Sequence, residues 1–167
     1  MKSLIVASGL VMVLSLLGCA QGSDDVQQRA LLTSIQHYEE NVSSNPTNFT
    51  AQNNLLELYT AYFTLLGTNS MSQAEAYRQK GLVTAEHALA LAPNTYARVF
   101  IGMALEKLKE PRRALSIYKE YLAEGTNAGD EYARNAPVDQ RLRPELQTEV
   151  AQLRVEIKRR VREIEGQ

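Results

Sequence analysis

The sequence predicts an all-α protein, and three observations lead to that prediction. Apolar residues recur at intervals of three and four through most of the chain, which is the spacing that places them on one face of an α-helix. A short pattern of small and apolar residues occurs three times along the chain. Proline or turn-forming residues follow these segments at the points where a helix must end.

The three repeated segments align without gaps. In each of them, small or apolar residues stand at i, i+1, i+4, i+7 and i+8, which gives one buried stripe on a helix. The segments are 34–46, 81–93 and 114–126, and the first two end in Pro46 and Pro93. Because proline lacks the amide donor and clashes with the preceding turn, we expect these helices to stop just before it.

Two further helices are predicted in front of the second and third segments. They cover 48–66 and 95–108, and each has apolar residues at helical spacing. Ser72 and Glu75 match a capping box at the start of the helix that follows the turn at 67–71. Pro111 stands at the expected first position of the next helix, where its missing donor costs nothing.

This order of helices resembles the tetratricopeptide repeat (TPR) family. Segment 95–128 carries the family's pattern of small and large residues at Gly102, Leu105, Ala114, Tyr118, Tyr121 and Leu122. Gly81 and Ala114 are 33 residues apart, close to the family's repeat of about 34. Segment 47–94 resembles a stretched repeat, and 26–46 resembles the second helix of a pair alone. The resemblance implies a short α-solenoid of antiparallel helix pairs.

The C-terminal segment 144–165 predicts one more amphipathic helix. Its apolar stripe consists of Leu146, Val150, Leu153, Ile157, Val161 and Ile164, and charged residues surround the stripe. We expect this helix to cap the last repeat, since terminal repeats need a polar outer face. The alternative is a coiled-coil dimer, although Arg160 interrupts the strict heptad. The segment 125–143 is interpreted as a loop, so that 26–167 forms a single helical domain.

The N-terminus resembles the signal peptide of a bacterial lipoprotein. Lys2 precedes a short apolar run that ends in the lipobox-like residues 16–19, and the run is shorter than the roughly 20 residues that cross a bilayer. The resemblance implies removal of residues 1–18, lipid on Cys19 and a short lipid-anchored linker at 19–25. Ala20 rather than aspartate follows Cys19, which by resemblance to Gram-negative sorting implies the outer membrane, facing the periplasm.

Charge and motifs argue against several classes of function. Without residues 1–18 the chain has 17 Lys and Arg against 19 Asp and Glu, so there is no basic excess of the kind that nucleic-acid binding requires. The two histidines, His37 and His87, do not form a zinc-protease motif, and no phosphate-binding loop or nucleophile motif occurs. We therefore expect no catalysis, no metal and no cofactor.

The TPR resemblance also implies where a partner would bind. In that family the first helix of each pair lines a concave face that holds a peptide or a helix. The positions that correspond to this face are Tyr96, Val99, Met103 and Glu106 in one repeat, with Phe100 beside them, and Thr50, Asn53 and Glu57 in the other. The alternative is that the C-terminal helix covers Tyr96, Phe100 and Met103.

Together these features predict a membrane-anchored module for protein–protein interaction or assembly in the bacterial cell envelope. Its partner would be an envelope protein or peptide that the sequence does not identify. One alternative is a structural envelope lipoprotein that dimerises through its C-terminal helix. A wall-directed enzyme is a more distant alternative.

Overall fold

Six α-helices make up the part of the chain that the structure, a computed structural model, describes: residues 23–67, 70–124 and 143–167. They are α1 (Ser23–Ser44), α2 (Phe49–Leu66), α3 (Met71–Leu91), α4 (Thr95–Lys107), α5 (Pro111–Ala123) and α6 (Arg143–Glu165). These three ranges contain no strand, which confirms the all-α prediction. The signal peptide, Cys19 and nearly all of the predicted loop at 125–143 lie outside the described residues.

The helix ends follow from local chemistry. Helix α1 ends before Pro46 and α3 ends before Pro93, as the proline positions predict. The side chain of Asn48 accepts a hydrogen bond from the amide of Ala51 at 3.1 Å, and this bond caps α2. Asn94 caps α4 in the same way. Pro111 is the first residue of α5, as predicted.

The start of α3 differs from the sequence prediction. The helix begins at Met71 with Ser70 at the N-cap position, so the prediction that Ser72 and Glu75 form a capping box is wrong. Ser70 and Gln73 show the same spacing two residues earlier, and their side chains lie 3.5 Å apart. The Glu75 carboxylate instead accepts hydrogen bonds from side chains of the next turn of α3.

Each helix packs against the next helix in the chain, and α2 also contacts α4. The first core cluster joins α1, α2 and α3 through residues that include Ile35, Leu58 and Tyr62. The second cluster contains residues from each of the helices α2, α3, α4, α5 and α6, and Leu105 and Ile157 are fully buried in it. None of the described helices has the length and apolar character that a membrane span requires.

A small residue allows the close approach of α4 and α5. A Cβ atom on Gly102 would stand 2.8 Å from a ring carbon of Tyr118, closer than real Cβ contacts allow. Tyr118 is fully buried, and its hydroxyl donates a hydrogen bond to Glu106 at 3.0 Å. The small position that the sequence pattern assigns to residue 102 is therefore the point where these two helices touch.

Helix α6 packs against α5 with its apolar stripe turned inward. Val150 and Ile157 are buried, and the stripe contacts the second core cluster. The guanidinium of Arg160 donates to Glu106 of α4 at 2.9 Å, which adds a polar contact at the edge of this interface. Whether α6 also caps a repeat array stays a prediction from the sequence.

Candidate functional site

An open groove of about 340 Å³ runs between α4 and α6. Its lining residues are Tyr96 and Phe100 from α4 and Glu149, Gln152, Leu153 and Glu156 from α6. The groove is therefore formed by two helices that are not consecutive in the chain, at the place where α6 packs against α5.

The α4 wall of the groove is aromatic. Tyr96 and Phe100 are four residues apart, so they lie on the same face of the helix. Their rings meet edge to face with centroids 5.3 Å apart. Phe100 remains 38% exposed although its neighbours Val99 and Ile101 are fully buried. Because successive helical residues point about 100° apart, Phe100 occupies the edge of the buried stripe and is accessible from the groove.

The sequence-predicted residues of α4 fall into two groups. Tyr96 and Phe100 line the groove, and α6 covers them only in part. Met103 is half-buried and packs against the second core cluster. The expectation that Val99 lines an accessible face needs correction: this residue is fully buried, because it points between the helices toward the core. Glu106, which the family pattern also assigns to this face, is held by Tyr118 and Arg160.

The sequence-predicted residues of α2 are not among those that line the groove. Asn53 donates to the carboxylate of Glu57 at 3.1 Å within α2. Burial by the surrounding protein raises the pKa of Glu57, and the hydrogen bond from Asn53 and the charge of Lys107 offset this rise only in part. Thr50 is exposed near the start of the helix.

The α6 wall of the groove is acidic, and the sequence prediction did not include it. Hydrogen bonds from Arg159, together with the charge of that residue and of Arg160, lower the pKa of Glu156 and keep its carboxylate ionised. Glu149 is exposed, and its carboxylate takes part in no hydrogen bond or ion pair of the described residues. The sequence did contain a signal for these two glutamates, because both lie one helical turn from Leu153, the residue of the apolar stripe that reaches the groove.

A second polar cluster lies between α1, α2 and α3. The Tyr59 hydroxyl donates to the Glu39 carboxylate at 2.5 Å, and the Lys80 ammonium donates to the same oxygen at 2.8 Å. Burial opposes ionisation of Glu39, but these two hydrogen bonds prevail and lower its pKa. Burial and the contact with Glu39 raise the pKa of Tyr59. Because these groups satisfy one another, we interpret this cluster as a structural junction.

The two histidines lie on different helices. His37 is exposed on α1, where its ring meets that of Tyr38 edge to face, and His87 is exposed on α3. Within the described ranges, no three His, Cys, Asp or Glu side chains are grouped in a way that could hold a metal ion.

Comparison of the chain with protein-family models, with curated proteins and with solved structures found no match.

Proposed function

We propose that this chain is a membrane-anchored, TPR-like lipoprotein whose helical domain is a non-catalytic module for protein–protein interaction and assembly in the bacterial cell envelope. The domain binds an envelope protein or peptide in the groove between α4 and α6. The lipid on Cys19 holds it at the membrane, and the short stretch of sequence between Cys19 and α1 keeps it close to the bilayer surface.

The order of helix contacts supports the TPR-like part of the proposal. The connections between successive helices from α1 to α5 are three or four residues long, which favours antiparallel neighbours. The contact between α2 and α4 is the one expected when the first helices of successive pairs stack side by side. On this basis α2 with α3 and α4 with α5 are two antiparallel pairs, α1 precedes them, and α6 caps them.

The N-terminal sequence supports the anchoring part. Residues 16–19 resemble a lipobox, and Ala20 follows the cysteine, which favours an outer-membrane protein that faces the periplasm. A single acyl chain binds membranes only marginally, whereas the several chains of a lipoprotein give a stable anchor.

Phe100 is the observation that carries the binding part of the proposal. It is a large aromatic side chain that stays 38% exposed beside Tyr96 in an open groove. Burial of such a side chain stabilises a folded domain, so a partner that covers Phe100 would gain free energy. Aromatic residues are enriched at protein–protein contacts because they desolvate a large area with little loss of side-chain entropy.

The test is cross-linking of the tagged, lipidated protein in cells, with partners identified by mass spectrometry. The wild type is compared with Phe100→Glu and with the control Val83→Glu, which places the same charge on a side chain that is 57% exposed on α3. We expect one discrete partner that is lost in Phe100→Glu and retained in Val83→Glu. A partner captured equally in all three proteins would rule out the groove as the binding site.

Self-cross-links through α6 without any other partner would favour the structural lipoprotein. The packing of α6 gives that alternative less support, because Ile157 and the rest of the apolar stripe are already used within the domain. Val155 is 69% exposed on the outer side of α6, but Ala151, Lys158 and Arg159 surround it, and they do not continue an apolar seam.

The anchoring part has a separate test. Cys19→Ala removes the thiol to which lipid is attached, so we expect the protein to move from the membrane fraction to the soluble fraction. Fractionation followed by immunoblotting measures this change. Continued membrane association of Cys19→Ala would contradict lipid anchoring and would leave the groove proposal untouched.

A further inference from the structure

We infer that the segment bound between α4 and α6 carries a lysine or arginine side chain next to a bulky apolar side chain. This inference rests on the interaction function proposed above and specifies the chemistry of the partner. It is drawn from the charge and the apolar surface of the six residues that line the groove.

The charged side chains that line the groove are acidic, and Arg159 and Arg160 compensate the charge of one of them, Glu156. Both charged residues in its lining, Glu149 and Glu156, are acidic, and neither lysine nor arginine lines it. Glu145 is exposed one turn before Glu149 on the same helix, which extends the acidic edge. An acidic partner would place like charges together, which costs free energy, whereas a basic partner complements this wall.

The two glutamates are not equivalent. The Glu156 carboxylate already accepts hydrogen bonds from Arg159 at 2.6 Å and from Arg160 at 2.8 Å. Glu149 takes part in no ion pair or hydrogen bond of the described residues. The carboxylate that is available to an incoming cation is therefore that of Glu149.

The aromatic wall suits the same partner. Tyr96 and Phe100 present an edge-to-face pair opposite the acidic helix, and Leu153 adds apolar surface between the two glutamates. An apolar side chain of the partner gains free energy by covering Phe100 and Leu153. A cation held at Glu149 lies in a groove whose other wall is aromatic, and aromatic faces attract lysine and arginine side chains.

The experiment measures peptide binding to the lipidated protein in detergent micelles by fluorescence anisotropy. The probes are three labelled twelve-residue peptides with identical Gly-Ser ends and a central block that alternates Leu with Arg, Leu with Glu, or Ser with Arg. Empty micelles give the background for each peptide. We expect the Leu-Arg peptide to bind more tightly than either of the other two.

Two variants that each remove one negative charge show whether the groove is responsible. Glu149→Gln should weaken binding of the Leu-Arg peptide about five-fold, the upper range for one exposed ion pair. Glu40→Gln changes an exposed glutamate on α1, and binding should stay at the wild-type value. Phe100→Ser should weaken binding of the Leu-Arg peptide and leave that of the Ser-Arg peptide almost unchanged.

Three results would overturn the inference. The first is that Glu149→Gln and Glu40→Gln weaken binding of the Leu-Arg peptide equally. The second is that the Leu-Glu peptide binds as tightly as the Leu-Arg peptide. The third is that no peptide binds above the micelle background. A cross-linked groove occupant that proves to be a second copy of the chain would also overturn it. If a cellular partner is nevertheless lost in Phe100→Glu, the interaction function stands and only the basic and apolar character of the partner is wrong.

Discussion

Lys109 is the one non-glycine residue with a positive φ angle in the part of the chain that the structure describes. Its φ angle is 65°, in the left-handed region that favours glycine. The conformation is needed because the chain turns out of α4 at this residue. The amide of Glu110 donates to the carbonyl of Leu105 at 2.9 Å, and the amide of Lys109 donates to the carbonyl of Glu106 at 3.0 Å. These two bonds form a Schellman motif, in which glycine usually occupies the position of Lys109.

Replacement of this lysine should stabilise the domain. We expect Lys109→Gly to raise the free energy of unfolding by about 1 kcal/mol, the cost of holding an L-residue in the left-handed region. Urea denaturation of residues 20–167, followed by circular dichroism, measures the change. The control Lys107→Gly lies in the last helical turn and should lower stability by up to about 1 kcal/mol. Destabilisation by Lys109→Gly would contradict the assigned strain.

At the residue scale, the sequence predicted which part of α4 carries the candidate site but not which side chains are accessible. The family pattern assigns Val99 to the partner-binding face and Phe100 to a place beside it, whereas the structure buries Val99 and leaves Phe100 in the groove. The difference depends on how α4 is rotated between its neighbours. Glu149 was not predicted, because its role depends on where α6 packs.

At the scale of elements, helix ends were predictable where the signal is local. Pro46, Pro93 and Pro111 fix the ends of three helices through covalent geometry, and no tertiary contact is needed to read them. The start of α3 was not predictable to the residue, because serine followed three residues later by Glu or Gln occurs twice, at Ser70 and at Ser72. Helix docking depends on distant pairs such as Arg160 with Glu106, 54 residues apart.

The inward stripe of α6 can be tested against its outer face. Ile157 is fully buried, so Ile157→Ala should lower the free energy of unfolding by about 2–4 kcal/mol through lost burial and the cavity left behind. Val155→Ala on the exposed side should change it by less than about 0.5 kcal/mol. Both values come from urea denaturation.

The Ile157→Ala variant also shows whether α6 packs on its own domain or on a second copy of the chain. If α6 were held mainly by a second copy, the effect of Ile157→Ala would vary with protein concentration, because dimerisation stabilises by mass action. We expect the unfolding midpoint of Ile157→Ala to be the same at low and high protein concentration, as for a helix docked on its own domain.

At the scale of the whole molecule, the described helices form a sequence of neighbours around two adjoining cores. The first core joins α1 to α2 and α3, and the second joins α2 and α3 to the helices that follow. Helices α1 and α6 belong to different cores. If the helices form the proposed solenoid, stability is close to a sum of local units and the interfaces between neighbours.

The two-core arrangement predicts that damage at one end stays at that end. Ile35 of α1 is 2% exposed in the first core, so Ile35→Ala should remove about 2–5 kcal/mol from the packing of α1 on α2. Native-state hydrogen exchange should show faster exchange in α1, with α5 and α6 retaining their protection. Ile157→Ala should give the opposite pattern, and the double variant should be additive within about 0.5 kcal/mol, since the two sites share no core. Uniform loss of protection in Ile35→Ala would mean that all six helices unfold as one cooperative unit, and the solenoid description would then fail in energetic terms.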